Sequence, residues 1–128
     1  FSEDTGLEVE ALNGEPGVYS ARYAGEEKDP QKNMDKLLDM MKDKEERNAQ
    51  FKTVISLIIN GKLNQFTGIL KGKIGYEKKG LYGFGYDPVF LLDDGRSLAE
   101  LMLDEKSRIS HRGKATRQLI EFLNQQNK

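Results

Sequence analysis

The chain has 128 residues, 37% hydrophobic and 32% charged, enough for the modest core of one domain, or part of one, under a well-solvated surface. Twenty basic against twenty-one acidic side chains leave no net field to hold nucleic acid non-specifically. Zero cysteines exclude disulfides and thiolate metal sites and fit a reducing compartment, and no apolar run approaches membrane-spanning length. The first residues carry no basic-plus-apolar signal pattern, and a chain that starts at Phe1 with a candidate functional segment already at Glu3 reads as part of a longer one.

Glu3-Asp4-Thr5-Gly6-Leu7 opens the chain. Two adjacent acids, a hydroxyl and a glycine suit a strand end or turn. Neighbouring strand side chains face opposite ways, so one of Glu3 and Asp4 is expected to face a ligand and the other to support it. A carboxylate here can hold Mg²⁺, take a proton from an attacking water, or simply cap a turn. Leu7 to Leu12 alternates apolar and acidic as a short half-exposed strand, ended by the turn Asn13-Gly14. In the loop from Glu15 to Tyr23, Arg22 can reach a phosphate or lie in a surface salt bridge. Asp29-Pro30 predicts an N-cap and first helical position, and Met34, Leu37, Leu38 and Met41 then make one apolar stripe, the methionines as core filler. Lys42 to Arg47 is mixed in sign and reads as a solvated helix end or linker.

Phe51 to Ile59 is nearly continuous in apolar character after Lys52, which predicts a central strand covered on both faces. Asn60-Gly61 predicts a two-residue hairpin into Leu63 to Ile74, where Gly68 and Gly72 mark a bulge or close approach. In Gly83-Phe84-Gly85-Tyr86-Asp87-Pro88, glycine lets backbone approach a flat ligand and proline drives Asp87 to be extended. Phe84 or Tyr86 can stack on a nucleobase there. Taken alone, the same residues are an ordinary turn into the strand Val89 to Leu92, before the turn Asp93-Asp94-Gly95.

Ser97-Leu98-Ala99-Glu100 is a capping box and predicts a helix to about Lys106. Ser110 caps a last helix with the stripe Ala115, Leu119, Phe122 and Leu123. His111, the only histidine, sits at that helix start beside Arg112. Positive potential there favours anions and carbonyl oxygens and disfavours protonating the ring. The tripeptide alone is equally a surface pair near a cap. No phosphate-loop or dinucleotide fingerprint and no Ser/His/Asp arrangement can be assembled, and a single histidine argues against zinc.

Taken in order, Glu3-Asp4-Thr5-Gly6-Leu7, Pro16-Gly17-Val18-Tyr19-Ser20-Ala21-Arg22-Tyr23, Gly83-Phe84-Gly85-Tyr86-Asp87-Pro88 and Glu105-Lys106 followed by Ile109-Ser110-His111-Arg112 resemble the inosine triphosphate pyrophosphatase family. Phe66-Thr67-Gly68, Gly72 and Ile74 have similar spacing, so the resemblance runs from Ser2 to the last helix. It implies an α/β fold: an elongated mixed β-sheet flanked by helices, two-lobed, with the active-site cleft between the lobes. It implies a Mg²⁺-dependent hydrolase that splits inosine, deoxyinosine or xanthosine triphosphate into monophosphate and pyrophosphate. Its setting would be the cytoplasm, as a homodimer, with no nucleic-acid or membrane partner.

On this resemblance Asp4 matches the general base and Mg²⁺-associated carboxylate, with Thr5 touching substrate. Phe84, Gly85, Tyr86 and Asp87 match the base-holding loop, Tyr86 as its stacking ring. Lys106, His111 and Arg112 match the readers of the 6-oxo purine edge, where donors accept a carbonyl and leave adenine's amino group unpaired. Glu3, Thr5 and Ser107 stand where many members have Asp, Ser and Asn. The family's N-terminal Asn/Lys phosphate-gripping segment and a later Glu- and Lys-bearing helix have no counterpart. Residues 1–128 therefore read as a single, partial domain with little or no turnover of its own. Two alternatives are a pyrophosphatase of similar fold acting on modified pyrimidines and a non-catalytic nucleotide- or RNA-binding module. Ser110-His111-Arg112 argues against the first and the lack of a basic stripe against the second.

Overall fold

The computed structural model describes residues 2–80, 85–101, 106 and 109–126. Its elements are β1 (Ser2–Val9), β2 (Pro16–Gly17), α1 (Pro30–Met40), β3 (Asn48–Ile59), β4 (Lys62–Ile74), β5 (Phe90–Leu91) and α2 (His111–Gln126). Short 3-10 turns lie at Glu10–Leu12, Ser20–Arg22, Asp87–Val89 and Leu98–Glu100. The strands lie in the order β2-β1-β3-β4-β5. Helices against a sheet match the α/β expectation, but every pairing among the described strands is antiparallel, so the parallel partner of a mixed sheet is not among them. Among the described residues no helix is long and apolar enough to cross a membrane.

Local chemistry sets several element boundaries. The Asp29 carboxylate accepts from the backbone of Gln31 at 2.9 Å and of Lys32 at 3.4 Å, with Pro30 opening α1. Asn60 and Gly61 have φ of 52° and 77°, the two positive values a tight antiparallel hairpin needs. From that turn the β3–β4 register runs unbroken from Ile59 and Lys62 to Asn48 and Lys73. Gly68 and Gly72 are therefore close approaches and not bulges. A Cβ on Gly68 would collide with the His111 carbonyl and lie 2.6 Å from the Ala115 nitrogen; one on Gly72 would meet the Leu91 carbonyl and the Phe90 ring.

β3 is the central strand, but it is not covered on both faces. Ala49, Phe51, Thr53 and Ile55 are buried, whereas Gln50, Lys52, Val54 and Ser56 are half-buried. The alternation arises because both described helices pack on one face. α1 and the residue that caps it deliver Met34, Leu37 and Met41 to a cluster with Leu7, Val9, Phe51, Leu70 and Phe90. α2 lays Ala115 and Leu119 on Ile55, with Phe66 alongside. Phe122 is half-buried on the same stripe, while Leu123 is exposed.

Three other expectations need correction. Glu3 to Leu7 lies inside β1, not at a strand end or turn. Arg47 is not solvated: it is buried and donates to the carbonyls of Ile74 at 2.7 Å, Met41 at 2.7 Å, Lys44 at 3.1 Å and Gly75 at 2.6 Å. The Ser97–Glu100 box forms, yet it opens only the turn Leu98–Glu100, because Leu101 is extended at φ −88° and ψ 144°. Lys106 is helical, and residues 102–105 lie outside the described set.

Candidate active site

Register lays the odd-numbered residues of β1 across the helix-bearing face in rows. Glu3 aligns with Ile55 and Phe66, Thr5 with Thr53 and Gly68, and Leu7 with Phe51 and Leu70. Gly68 is a gap in this face, and α2 begins over it in backbone contact with β4. Lys114 Nζ donates to the Ile69 carbonyl and Gln118 Nε2 to the Thr67 carbonyl, both at 2.8 Å, fixing the helix to the strand. Ser110 Oγ accepts from the Gly113 backbone at 2.9 Å, as expected of a cap.

That seating brings the first two α2 side chains onto the sheet. The His111 ring stacks on Phe51 with centroids 4.8 Å apart and planes 18° apart, and Phe51 packs on Phe90 at 4.6 Å. Arg112 Nε donates to Glu3 Oε1 at 2.7 Å. From the other side the 85–90 loop presents Asp87, which is buried and receives the Lys106 ammonium on Oδ2. One imidazole thus lies within the fields of two acid–base pairs. Burial pushes its pKa down to about 4, while Asp87 and Glu3 pull it up and Lys106 and Arg112 push it down. The neutral ring expected from the helix start is found, but burial is its principal cause. Its Nδ1 is buried and has no hydrogen-bond partner among the described residues, a cost that a bound ligand atom could relieve.

Tyr86, expected as the stacking ring, is 6% exposed, and its hydroxyl donates to the Ser20 carbonyl at 2.6 Å. Burial raises its pKa well above the usual phenol range. A ring so covered offers no platform for a base; it seats the loop instead. Gly85 has φ 59°, which glycine accepts without strain. Phe84 lies outside the described residues. Thr5 shares a 2.9 Å hydrogen bond with the buried Thr53 hydroxyl. Arg22 pairs with Glu26 at 3.9 Å in an exposed ion pair, the plainer of its two expected roles.

Asp4 faces the other way. It is exposed on the opposite side of the sheet, on a shallow cavity of about 250 Å³ that Thr5, Glu8, Gly17, Val18 and Lys52 also line. Asp87, Lys106, His111 and Arg112 therefore converge, joined by Glu3, while Asp4 is not among them. Among the described residues no group of three His, Cys, Asp or Glu forms a metal cage. Two positioning residues escaped sequence reasoning. Phe51 was visible only as the start of an apolar run. Ser20, whose Oγ accepts from the Leu7 backbone at 2.9 Å and donates to the Gly17 carbonyl at 2.6 Å, carries no local signal of that role.

A family model described as the Ham1 family matches residues 1–122. The chain belongs to the Ham1 family. Its resemblance to pyrophosphatases in the ordered motifs is borne out by Ham1-family relatives. The chain is 60% identical over 123 residues to a dITP/XTP pyrophosphatase of Flavobacterium psychrophilum, covering 95% of this chain and 65% of that one. It is 45% identical over 127 residues to a dITP/XTP pyrophosphatase of Bacillus subtilis, covering 96% and 64%. The solved Ham1 protein of Staphylococcus aureus superposes with a TM-score of 0.94 at 44% identity, over 97% of this chain and 66% of that one. A nucleoside-triphosphatase / dITP/XTP pyrophosphatase of Mycobacterium abscessus gives 0.82 at 40% identity, over 95% and 64%. The chain thus spans just under two thirds of the length of the curated relatives it matches.

Proposed function

We propose that the chain is the base-recognising part of a pyrophosphatase that hydrolyses inosine, deoxyinosine or xanthosine triphosphate to the monophosphate and pyrophosphate. The observation that carries this is His111, stacked on Phe51 and flanked by the Asp87–Lys106 and Glu3–Arg112 pairs at a helix start. Lysine, arginine and a neutral imidazole supply donors, and a 6-oxo purine offers acceptors along that edge. The amino group of adenine would set donor against donors, a mismatch that polar sites reject strongly. The dITP/XTP pyrophosphatase names of relatives at 45% and 60% identity support the same substrate class.

The opposite orientation of Asp4 is compatible with one substrate. Glu3 and Asp4 are neighbours on β1, so their side chains leave one short stretch of strand toward opposite faces. A nucleotide reaching past that stretch would hold its base near Glu3 and turn its phosphates toward Asp4. There Asp4 would take the proton from the water that attacks the α-phosphorus, with pyrophosphate leaving, and Thr5 would touch the substrate. An exposed carboxylate suits Mg²⁺, which binds one or two carboxylates and fills its remaining positions with phosphate and water. When bound, the ion would neutralise phosphate charge. Further phosphate contacts would come from the third of the relatives' length outside this chain, so residues 1–128 alone would turn over little. The whole enzyme would work as a cytoplasmic homodimer.

The test is product analysis with inosine triphosphate and Mg²⁺, using a polypeptide extended to the relatives' length beside residues 1–128. The extended form should release pyrophosphate and inosine monophosphate, and the shorter form almost none. Release of orthophosphate, or equal turnover of a modified pyrimidine triphosphate, would overturn the proposal.

A further inference from the structure

We infer that Glu3 is a positioning residue for base selection, holding the Arg112 guanidinium by its Nε so that the terminal nitrogens face the incoming purine edge. The inference rests on the purine-selective function proposed above. A guanidinium is a planar fork of five donors, and a carboxylate on Nε leaves the two terminal nitrogens available. The anchor is rigid: Glu3 lies within β1, in the row with buried Ile55 and with Phe66. Its side chain is 25% exposed, while that of Arg112 is 66% exposed. So open an ion pair adds little to folding stability. Its effect is to restrict a long side chain before substrate arrives, removing an ordering cost from binding. Tyr86, which anchors the loop, and Phe51, which supports His111, immobilise the other side of the same cluster. Arg112 is the one cationic member on an exposed stem, so it gains most from a tether.

The test measures kcat/KM for inosine and adenosine triphosphates in the extended polypeptide. It compares wild type, Glu3→Gln, Glu3→Asp, Arg112→Ala and the Glu3→Gln/Arg112→Ala double variant, with Tm recorded for each. Glu3→Gln should lower kcat/KM for inosine triphosphate about tenfold, mainly through KM, and leave adenosine triphosphate nearly unmoved. Glu3→Asp, which keeps the carboxylate, should recover most of the loss. The double variant should be no worse than Arg112→Ala alone. An unchanged inosine-to-adenosine ratio in Glu3→Gln, or penalties that multiply in the double variant, would overturn the inference. If Glu3→Gln lowers Tm, Glu3→Asp decides: normal selectivity supports the tether and lost selectivity at normal Tm refutes it. A wild type that does not discriminate the two substrates would defeat the proposed function first, and this inference with it.

Discussion

The sharpest consequence of the site concerns its imidazole, because the chain has a single histidine and its titration can be followed without overlap. Folded, His111 is held at about 4 against an ordinary 6.5, first by burial. The unfolded chain therefore takes up the proton earlier as pH falls. The stability that goes with the neutral ring is complete above about pH 6.5 and is lost as pH drops toward 4. At about 1.36 kcal/mol per pH unit the gap corresponds to ~3.4 kcal/mol. The ring is not fully enclosed, and solvent screening reduces this to about 2 kcal/mol. His111→Phe keeps the stack on Phe51 and removes the titration. Urea unfolding of both proteins from pH 7 to pH 4 should show wild type losing about 2 kcal/mol more than the variant. Carboxylates common to both cancel in the difference. Parallel pH curves, or an imidazole proton resonance titrating near 6.5, would refute the reasoning.

Other outcomes follow from the packing. Arg47→Met strips hydrogen bonds from the buried carbonyls of Met41, Ile74 and Gly75, as well as that of Lys44. The Met41 carbonyl keeps the Lys44 backbone donor at 3.1 Å. At about 1–3 kcal/mol per orphaned group, without full additivity, chemical denaturation should show a loss of about 2–4 kcal/mol. A loss below about 1 kcal/mol would contradict that. Gly68→Ala drives a methyl into the α2 backbone, so it should cost about 1–3 kcal/mol and shift the His111 resonance. An unmoved resonance would mean the helix start is not seated on Gly68. Tyr86→Phe removes the bond to Ser20 and should cost about 1 kcal/mol while raising KM for a purine triphosphate; unchanged KM would show that loop anchoring is irrelevant to binding.

Signals confined to a few neighbouring residues were legible in the sequence. Asp29-Pro30 and Asn60-Gly61 carry their geometry in their own side chains and backbone preferences, so the start of α1 and the β3–β4 hairpin could be placed without tertiary information. The centrality of Phe51 to Ile59 was also legible, but not which face would be covered, since that depends on both helices choosing the same side. Arg47 sat in a run of mixed charges, and nothing local announces that four distant or looping carbonyls will surround it. The capping box was read correctly and the helix after it was not, because Leu101 turns extended into the core. In the site, Lys106, Asp87, His111 and Arg112 were named by motif, and the fold brings them together. The inward packing of Tyr86 was not legible, because a tyrosine beside glycines looks the same whether its ring packs outward or inward. The division of Glu3 and Asp4 between two faces was foreseeable from strand alternation; which of them meets Arg112 depends on the register with β3.

The most direct measurement of whether this cluster receives a purine edge is the His111 imidazole resonance of the extended polypeptide, titrated with inosine monophosphate and, separately, adenosine monophosphate. The expected result is a saturable shift with inosine monophosphate and almost none with adenosine monophosphate at the same concentrations. An imidazole indifferent to both nucleotides, or moved equally by the two, would contradict the assignment of this site to 6-oxo purines.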